Sequence, residues 1–186
     1  MTTFDIHVLP AEASTDTTLM RQIADLVNRV YATAEAGLWQ QGTTRTTVEE
    51  ITRLTSAGEI VVARHEDVVV GSIRVRYLSP ELAETGMLVA DPDRRNEGVG
   101  RALRRFVTNM LQQQGIPTLQ IELLSPRDWA QPSKRFMAEW NERAGYKVVR
   151  TGSFEDQYPD LAPLLATPCD FIIYHLDLRR PVHSAP

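Results

Sequence analysis

Hydrophobic residues recur at spacings of three and four in four stretches of the chain, and this period predicts amphipathic helices that bury one face. The stretches cover residues 19–30, 51–54, 99–111 and 136–140. Thr47 precedes the second stretch, and Glu50 follows three residues later with the spacing of a capping box, so we expect that helix to begin near Thr47. In the fourth helix, the pattern predicts that Phe136, Met137 and Trp140 face the core.

Short runs rich in β-branched and aromatic residues predict seven strands. They cover residues 4–9, 60–64, 68–77, 85–90, 119–124, 147–153 and 169–178. His65, Glu66 and Asp67 separate the second strand from the third, and this short polar stretch predicts a tight turn.

The predicted elements follow one another as a strand, two helices, three strands, a helix, a strand, a helix and two strands. This order predicts a mixed α/β domain in which a meander of strands leads into a strand–helix–strand crossover. A chain of 186 residues is long enough for one full hydrophobic core. We therefore expect residues 1–178 to form a single domain and residues 179–186 to form a loose tail.

Composition and charge exclude several classes of protein. The chain has 24 acidic and 20 basic side chains, a net charge of -4, which argues against a general nucleic-acid-binding protein. No window approaches the ~20 consecutive apolar residues of a membrane helix, and the four histidines lack metal-ligand spacing. Cys169 is the only cysteine, and residues 1–10 lack the pattern of an export signal. These features indicate a protein of the reducing cytoplasm that binds no metal.

Residues 88–103 carry the most informative chemical signal. A strand ends in the turn at residues 91–93, and a helix then begins at Gly98 and Gly100. The unpaired N–H groups of a helix N-terminus point outward and carry partial positive charge. Because glycine has no Cβ atom, the backbone at these two positions can approach a bulky anion closely. The sequence therefore predicts a site for a pyrophosphate.

Five arginines surround this turn: Arg94, Arg95, Arg101, Arg104 and Arg105. Such a cationic patch in an acidic chain would attract a polyanionic small molecule. The alternative is that Arg104 and Arg105 belong only to the solvated face of a helix. Two better-known phosphate motifs do not fit, because the chain lacks Gly-Lys-Ser/Thr and has Leu103 where a dinucleotide fingerprint needs Gly or Ala. A Rossmann-like nucleotide-binding domain is therefore the weakest alternative.

At these residues the sequence resembles the GCN5-related N-acetyltransferase (GNAT) family. Residues 95–100 match the family motif Gln/Arg-x-x-Gly-x-Gly/Ala, and residues 87–92 resemble its central strand and exit turn. Residues 140–146 resemble the family's helix that ends in Tyr-x-x-x-Gly-Phe/Tyr. The resemblance implies a mostly antiparallel sheet of about seven strands flanked by about four helices. It also implies an acyltransferase that uses acetyl-CoA without a metal or a covalent intermediate.

The resemblance further implies which residues bind the coenzyme. The backbone of the turn would hold the pyrophosphate, while the central strand would pair with the pantetheine arm as an added strand would. A bulge in that strand would separate it from the strand at 119–124 and open a slot for the thioester. The implied coenzyme-binding residues are Met87, Leu88, Val89, Arg94, Arg95, Asn96, Glu97, Gly98, Val99, Gly100 and Arg101.

The reaction needs a base, because an alkyl amine with a pKa of about 10.4 is almost fully protonated at pH 7. Glu84, eleven residues before Arg95, lies where many family members have a catalytic glutamate. The alternative is that Glu84 is merely a loop carboxylate. Asn141 occupies the position of the family's usual tyrosine, so it could only donate a hydrogen bond to the leaving sulfur. Tyr158, Tyr174 or water could supply the proton instead.

The first two helices and the segment 154–168 are expected to line the pocket for the acceptor amine. Tyr31, Glu35, Trp39 and Tyr158 offer π faces and a carboxylate for a cationic amine, although Tyr31 and Trp39 could equally be core residues. The segment itself could act as a lid or as a rigid prolyl connector. Lys134 stands where the family often has an asparagine.

The acceptor remains open among amino acids, polyamines, aminoglycosides and peptide N-termini. The acyl group could be acetyl or a longer chain, and the resemblance is compatible with a homodimer. Loss of the family tyrosine keeps a second class of function open, namely a module that binds acyl-CoA as a sensor with little or no catalysis.

Overall fold

The computed structural model describes residues 3–179, in which seven strands form one sheet with helices on both faces. The strands are β1 (Asp5–Val8), β2 (Ile60–His65), β3 (Val68–Ser79), β4 (Leu82–Ala90), β5 (Thr118–Pro126), β6 (Lys147–Ser153) and β7 (Cys169–Asp177). The helices are α1 (Thr17–Ala34), α2 (Val48–Ser56), α3 (Val99–Gln113), α4 (Pro132–Arg143) and the short α5 (Phe154–Gln157). Apart from residue 179, the predicted tail at 179–186 lies outside the described residues.

The strands lie in the order β1-β2-β3-β4-β5-β7-β6, and every neighbouring pair is antiparallel except β4 and β5. Helix α3 connects these two parallel strands, as a parallel pair requires. The predicted mixed and mostly antiparallel sheet of seven strands is confirmed. Glu66 and Asp67 both have positive φ, 49° and 64°, and form the predicted tight turn between β2 and β3.

Two hydrophobic clusters cover the two faces of the sheet. On one face, α1 and α2 bury residues such as Met20, Ile23 and Leu54 against β2, β3 and β4. On the other face, α3 packs Leu103 and Leu111 against alternate residues of the same strands and of β5 and β7. Because successive side chains of a strand point to opposite faces, these clusters fix which face each polar strand residue occupies.

A third cluster fastens the segment after β6 onto the face that α1 and α2 cover. Phe154 contacts Phe171 and Trp39 edge-on, with ring centroids 6.2 and 5.6 Å apart. Residues 38–40 and 164–166 exchange backbone hydrogen bonds, from the Gln40 N–H to the Leu164 carbonyl and from the Ala166 N–H to the Leu38 carbonyl, each 2.8 Å long. These contacts support the rigid connector over the lid.

Two expectations from the hydrophobic pattern were wrong. Strand β4 begins at Leu82 rather than at residue 85, because residues 82–84 pair with both β3 and β5. Phe136 is 57% exposed, because it lies on the side of α4 turned away from the sheet and stacks on Trp140 at a centroid distance of 6.5 Å. Met137 packs against the core as predicted, together with Ala138.

Candidate active site

The turn before α3 exposes a run of backbone donors. Gly98 is the N-cap residue of α3 and has a left-handed backbone, with φ of 85°, and Asn96 has φ of 67°. The first helical bond runs from the Ala102 N–H to the Gly98 carbonyl. Among the described residues, no acceptor bonds to the N–H groups of residues 98–101. Four donors of partial positive charge therefore point out of the helix and are available to an anion.

The arginines around this turn differ in their partners. Arg94 pairs with Glu97 within the turn, with a shortest N–O distance of 3.3 Å. Arg104 instead lies over the ring of Trp140, 3.9 Å from its centroid, and contributes to packing between α3 and α4. Arg95, Arg101 and Arg105 are exposed and take part in none of the ion pairs between described residues. These three side chains leave uncompensated positive charge beside the free N–H groups.

Strands β4 and β5 separate halfway along their length. They pair only from Leu82 opposite Thr118 to Thr85 opposite Ile121. Beyond that point the register of β4 against β3 shifts between Ser72 and Arg74, and Met87 in β4 has φ of 50°. This is the bulge that the resemblance implies. The edge of β4 that faces β5 is therefore unpaired at residues 86–90, next to the turn before α3.

A groove of about 440 Å³ lies beside the separated part of β5, between this strand and α4. Its walls combine the apolar side chains of Leu123, Ala138 and Ile172 with the polar side chains of Gln131 and Lys134. A groove with an apolar floor and polar edges suits an arm that carries amides on an aliphatic chain.

Glu84 lies within β4, on the face of the sheet that α1 and α2 cover, so it is not a loop carboxylate. Its Oε1 accepts a hydrogen bond from Arg76 Nη2 at 2.7 Å, and its Oε2 accepts one from Gln120 Nε2 at 2.8 Å. The Glu84 side chain is 12% exposed. The ion pair with Arg76 compensates its negative charge.

A second carboxylate, Glu122, lies next to Glu84 where β4 and β5 separate. The hydroxyl of Tyr158 donates to Glu122 Oε2 at 2.8 Å, and Gln120 Nε2 donates to Glu122 Oε1 at 3.3 Å. Burial, and then the negative charge of Glu84, raise the pKa of Glu122 to about 7. A carboxyl with this pKa can accept and release a proton near neutral pH.

Comparison with known proteins places the chain in a family. The sequence profile of the acetyltransferase (GNAT) domain matches residues 56–148, which is half of the chain and includes β4, the bulge and the turn before α3. The chain belongs to the GNAT acetyltransferase family. The predicted class of enzyme, an acyl-CoA-dependent N-acyltransferase of the GNAT type, is thereby confirmed. No curated protein sequence matches the chain significantly.

Solved structures share the GNAT fold of this chain. An N-acetylglutamate synthase from Neisseria gonorrhoeae, complexed with coenzyme A and N-acetyl-glutamate, is 18% identical with a TM-score of 0.62, and the match covers 97% of this chain but only 36% of the synthase. A putative acetyltransferase from Salmonella typhimurium with acetyl-CoA is 14% identical over 99% of this chain and 98% of its own, with a TM-score of 0.62. The ribosomal-protein-S18-alanine N-acetyltransferase from Escherichia coli is 15% identical over 99% of both chains, with a TM-score of 0.60.

Two candidate hydrogen-bond donors to the leaving sulfur lie on the opposite side of the GNAT sheet from Glu122. Asn141, at the position of the usual family tyrosine, is 2% exposed on α4. Tyr174 is 2% exposed in the cluster that α3 covers, and burial raises the pKa of its hydroxyl. Tyr158 lies with Glu122 instead. Its pKa is also raised, first by burial and then by its hydrogen bond to Glu122.

The predicted acceptor-binding residues flank the space above the separated strands but are bonded to protein partners. Tyr31 packs in the cluster that contains Met87, with the guanidinium of Arg45 5.1 Å from its ring centroid. Glu35 is buried and accepts from Lys134 Nζ through Oε1 and from Trp39 Nε1 through Oε2. Lys134, which departs from the family pattern, therefore joins the start of α4 to the end of α1.

Replacing Trp39 with phenylalanine tests whether Trp39 has a structural role. The indole Nε1 donates to Glu35 Oε2 at 2.6 Å, and both side chains are largely buried. Because the substitution leaves one oxygen of a buried carboxylate without its donor, we expect the free energy of unfolding to fall by about 1.5–3 kcal/mol. Urea unfolding measures this change.

Trp129→Phe is the matched control, since the Trp129 indole is exposed and its Nε1 donates only a long hydrogen bond, 3.4 Å, to the Thr167 hydroxyl. Unchanged stability in Trp39→Phe would contradict the structural role assigned to the bond between Trp39 and Glu35.

Residues 3–179 give no support for a reactive cysteine, a metal site or a membrane-spanning helix. Cys169 is fully buried, and this burial raises the pKa of its thiol to about 11, which keeps it protonated and unreactive at neutral pH. No group of three or more His, Cys, Asp or Glu side chains in this part of the chain is placed to hold a metal ion. None of its helices combines the length and apolar character needed to cross a bilayer.

Sequence reasoning missed four members of the polar group around Glu84: Arg76, Gln120, Glu122 and His175. The strand at 119–124 held a usable signal, because Gln120 and Glu122 alternate with Leu119, Ile121 and Leu123. Polar residues at alternate positions of a central strand indicate a face that is not packed by apolar side chains. Their proximity to Glu84 depends on the parallel pairing of β4 with β5 and could not be read from the sequence.

Proposed function

We propose that this protein transfers an acetyl group from acetyl-CoA to a primary amine, which attacks the thioester directly. The observation that carries the proposal is the separation of β4 from β5 next to the free N–H groups at the start of α3. A diphosphate and an amide-bearing arm, joined as they are in coenzyme A, match these two features. The family match and the solved neighbours with coenzyme A or acetyl-CoA support the same ligand.

The residues present fit this coenzyme. The diphosphate would accept hydrogen bonds from the N–H groups of residues 98–101, and Arg95 and Arg101 would offset its charge. The arm would pair with the free edge of β4 at residues 87–89, as an added strand pairs with a sheet. Acetyl-CoA supplies the activated acyl group, and no residue of the chain need form a covalent bond.

The proton of the attacking amine is proposed to pass to the Glu84–Glu122 pair, either directly or through one water. Within the pair, Glu122 is the proposed acceptor, because a carboxyl with a pKa of about 7 can take up a proton near neutral pH, whereas both oxygens of Glu84 already accept hydrogen bonds from Arg76 and Gln120. Glu84 then acts through its charge, which raises the pKa of its neighbour. The proposal thus replaces Glu84 with Glu122 as the base and gives Glu84 an electrostatic role.

The leaving thiolate is proposed to receive a hydrogen bond from the Asn141 amide and its proton from solvent. Asn141 cannot supply a proton itself, because a side-chain amide does not ionise near neutral pH. The Tyr158 hydroxyl is committed to Glu122 Oε2. This bond leaves Glu122 Oε1, which Gln120 shares, as the oxygen that accepts the proton.

The acceptor is proposed to be a small molecule or a peptide that carries a primary amine. It would enter between the two clusters that flank the polar group, so that Tyr31 and Trp39 form walls while Tyr158 lies closest to the proton acceptor. Glu35 would stabilise the Trp39 wall, because both its oxygens already accept hydrogen bonds.

Thermal unfolding with and without ligand tests the coenzyme. At a concentration of 100 times its Kd, acetyl-CoA is expected to raise Tm by about 5–10 °C, because binding then adds about 2.7 kcal/mol of stability. NAD at the same concentration is expected to have no effect. Stabilisation by NAD alone would mean a nucleotide-binding domain and contradict the proposal.

Release of free thiol from acetyl-CoA, followed across a panel of amino acids, polyamines, aminoglycosides and peptides, tests the reaction. At least one amine is expected to release thiol. Binding of acetyl-CoA without thiol release on any amine would instead indicate a sensor.

A further inference from the structure

The side-chain amide of Gln120 lies between the two carboxylates of the candidate active site. Its Nε2 carries two hydrogens and donates to Glu84 Oε2 at 2.8 Å and to Glu122 Oε1 at 3.3 Å. Gln120 is 7% exposed, so water competes little for these two bonds. A single amide group therefore bridges the two acids and fixes the distance between them.

The benefit of this bridge depends on which way the amide points. If it turned over while both acids are ionised, its oxygen would face two carboxylate oxygens, and three acceptors would meet without a donor. His175 prevents this, because its Nε2 lies 3.0 Å from Gln120 Oε1 and bonds to that oxygen when it carries a hydrogen. Both the charged imidazole and the neutral tautomer protonated at Nε2 carry this hydrogen.

The groups around the two acids supply Glu122 with few hydrogen-bond donors besides the Gln120 amide. From β3, Arg76 bonds only to Glu84, and from the segment after α5, Tyr158 offers Glu122 a neutral hydroxyl. Among the described residues, Glu122 has no cationic partner in an ion pair. When Glu122 ionises, the N–H of Gln120 and the hydroxyl of Tyr158 are therefore its two donors. His175 on β7 reaches it only through Gln120.

We propose that Gln120 is a positioning residue that holds Glu84 and Glu122 side by side and lets both carry negative charge, and that His175 fixes the direction of its amide. The proposal rests on the proposed function only where it assigns proton transfer to this pair. Gln120 would act through Glu122 and touch neither substrate nor coenzyme. Its loss would change the pH at which the pair ionises rather than remove the acid–base group.

Carboxyl titration of the ligand-free protein by carbon NMR tests the proposal without any acetyl transfer. In the unsubstituted protein Glu122 is expected to titrate near pH 7. Gln120→Met removes the amide but keeps a side chain of similar length, and the midpoint of Glu122 is expected to rise by about one pH unit, because one hydrogen bond to the ionised form is lost. Glu84→Gln is expected to move the same midpoint downward, because it removes the negative neighbour.

His175→Phe keeps Gln120 but releases its amide, so the Glu122 midpoint is expected to rise by less than in Gln120→Met. If Gln120→Met does not fold, His175→Phe provides the test in its place. Gln113→Met, on the exposed side of α3, is the control and is expected to leave the midpoint unchanged. An unmoved or lowered midpoint in Gln120→Met, or in His175→Phe, would overturn the proposal.

A protein that titrates as expected but acetylates no amine would refute the proposed function and leave the Gln120 assignment standing. If an acceptor is found, the acid limb of kcat/KM is expected to follow the Glu122 midpoint in each variant. A purely structural role for Gln120 would instead lower kcat/KM equally at every pH, and this result would contradict the assignment.

Discussion

Glu122→Gln is expected to lower kcat at pH 7 by about 100- to 10,000-fold, which is the usual contribution of a positioned general base. The substituted amide cannot accept a proton, whereas Glu122, with a pKa of about 7, is about half ionised at pH 7. Binding of acetyl-CoA is expected to be unchanged, because the diphosphate and the arm would contact the start of α3 and the free edge of β4. Steady-state kinetics and calorimetry with acetyl-CoA measure the two quantities.

The pH dependence of kcat/KM shows whether Glu122 or Glu84 is the base. With Glu122 as base, kcat/KM is expected to rise as the pH increases through about 7, because the ionised carboxylate is the active form. Glu84→Gln removes a negative neighbour, lowers the pKa of Glu122 and is expected to shift this limb to lower pH while most of the turnover remains. Glu81→Gln, in the exposed turn between β3 and β4, is the control for a carboxylate outside the site.

Equal loss of turnover in Glu84→Gln and Glu122→Gln would mean that the two residues act as a unit. If Glu84→Gln abolishes turnover while Glu122→Gln retains it, Glu84 is the base and the assignment to Glu122 is refuted.

How far the sequence predicts this site depends on whether a residue acts through local or tertiary geometry. The start of α3 was predicted closely, since helix capping by a left-handed glycine is a local property of residues 95–101 and leaves a motif. Glu84 was found by its offset from that motif. Its pairing on both sides, opposite Arg76 of β3 and Gln120 of β5, could not be predicted, because this pairing depends on tertiary contacts.

Glu122 escaped prediction for a different reason. Its own sequence neighbourhood shows only that Gln120 and Glu122 alternate with apolar residues, and nothing there indicates an unusual pKa. The raised pKa comes from burial, and then from Glu84, 38 positions earlier in the chain. Tyr158 was predicted as a source of protons for the sulfur, and in the structure it bonds to this carboxylate. Such functions arise from contacts between strands that only the folded sheet brings together.

Gly98→Val is expected to weaken coenzyme binding by about 100-fold or more. Gly98 has φ of 85°, a backbone conformation that costs other residues roughly 1–2 kcal/mol and β-branched residues more. The turn is expected to rearrange in order to escape this strain, and the N–H groups of residues 98–101 would then no longer converge. Loss of two hydrogen bonds to a charged diphosphate, at roughly 1.5–3 kcal/mol each, accounts for the expected change. Calorimetry with coenzyme A measures it.

Gly58→Val is the matched control, because Gly58 also has a left-handed backbone, with φ of 71°, and nothing lies within 4 Å of an added Cβ at either glycine. Gly58 lies between α2 and β2, away from the start of α3, so its replacement is expected to lower Tm by a similar amount without changing coenzyme affinity. Gly98→Asn is expected to retain more affinity than Gly98→Val, since asparagine tolerates the left-handed region. If Gly98→Val binds coenzyme A as tightly as the unsubstituted protein, these amides do not hold the diphosphate, and the site proposed at the start of α3 is wrong.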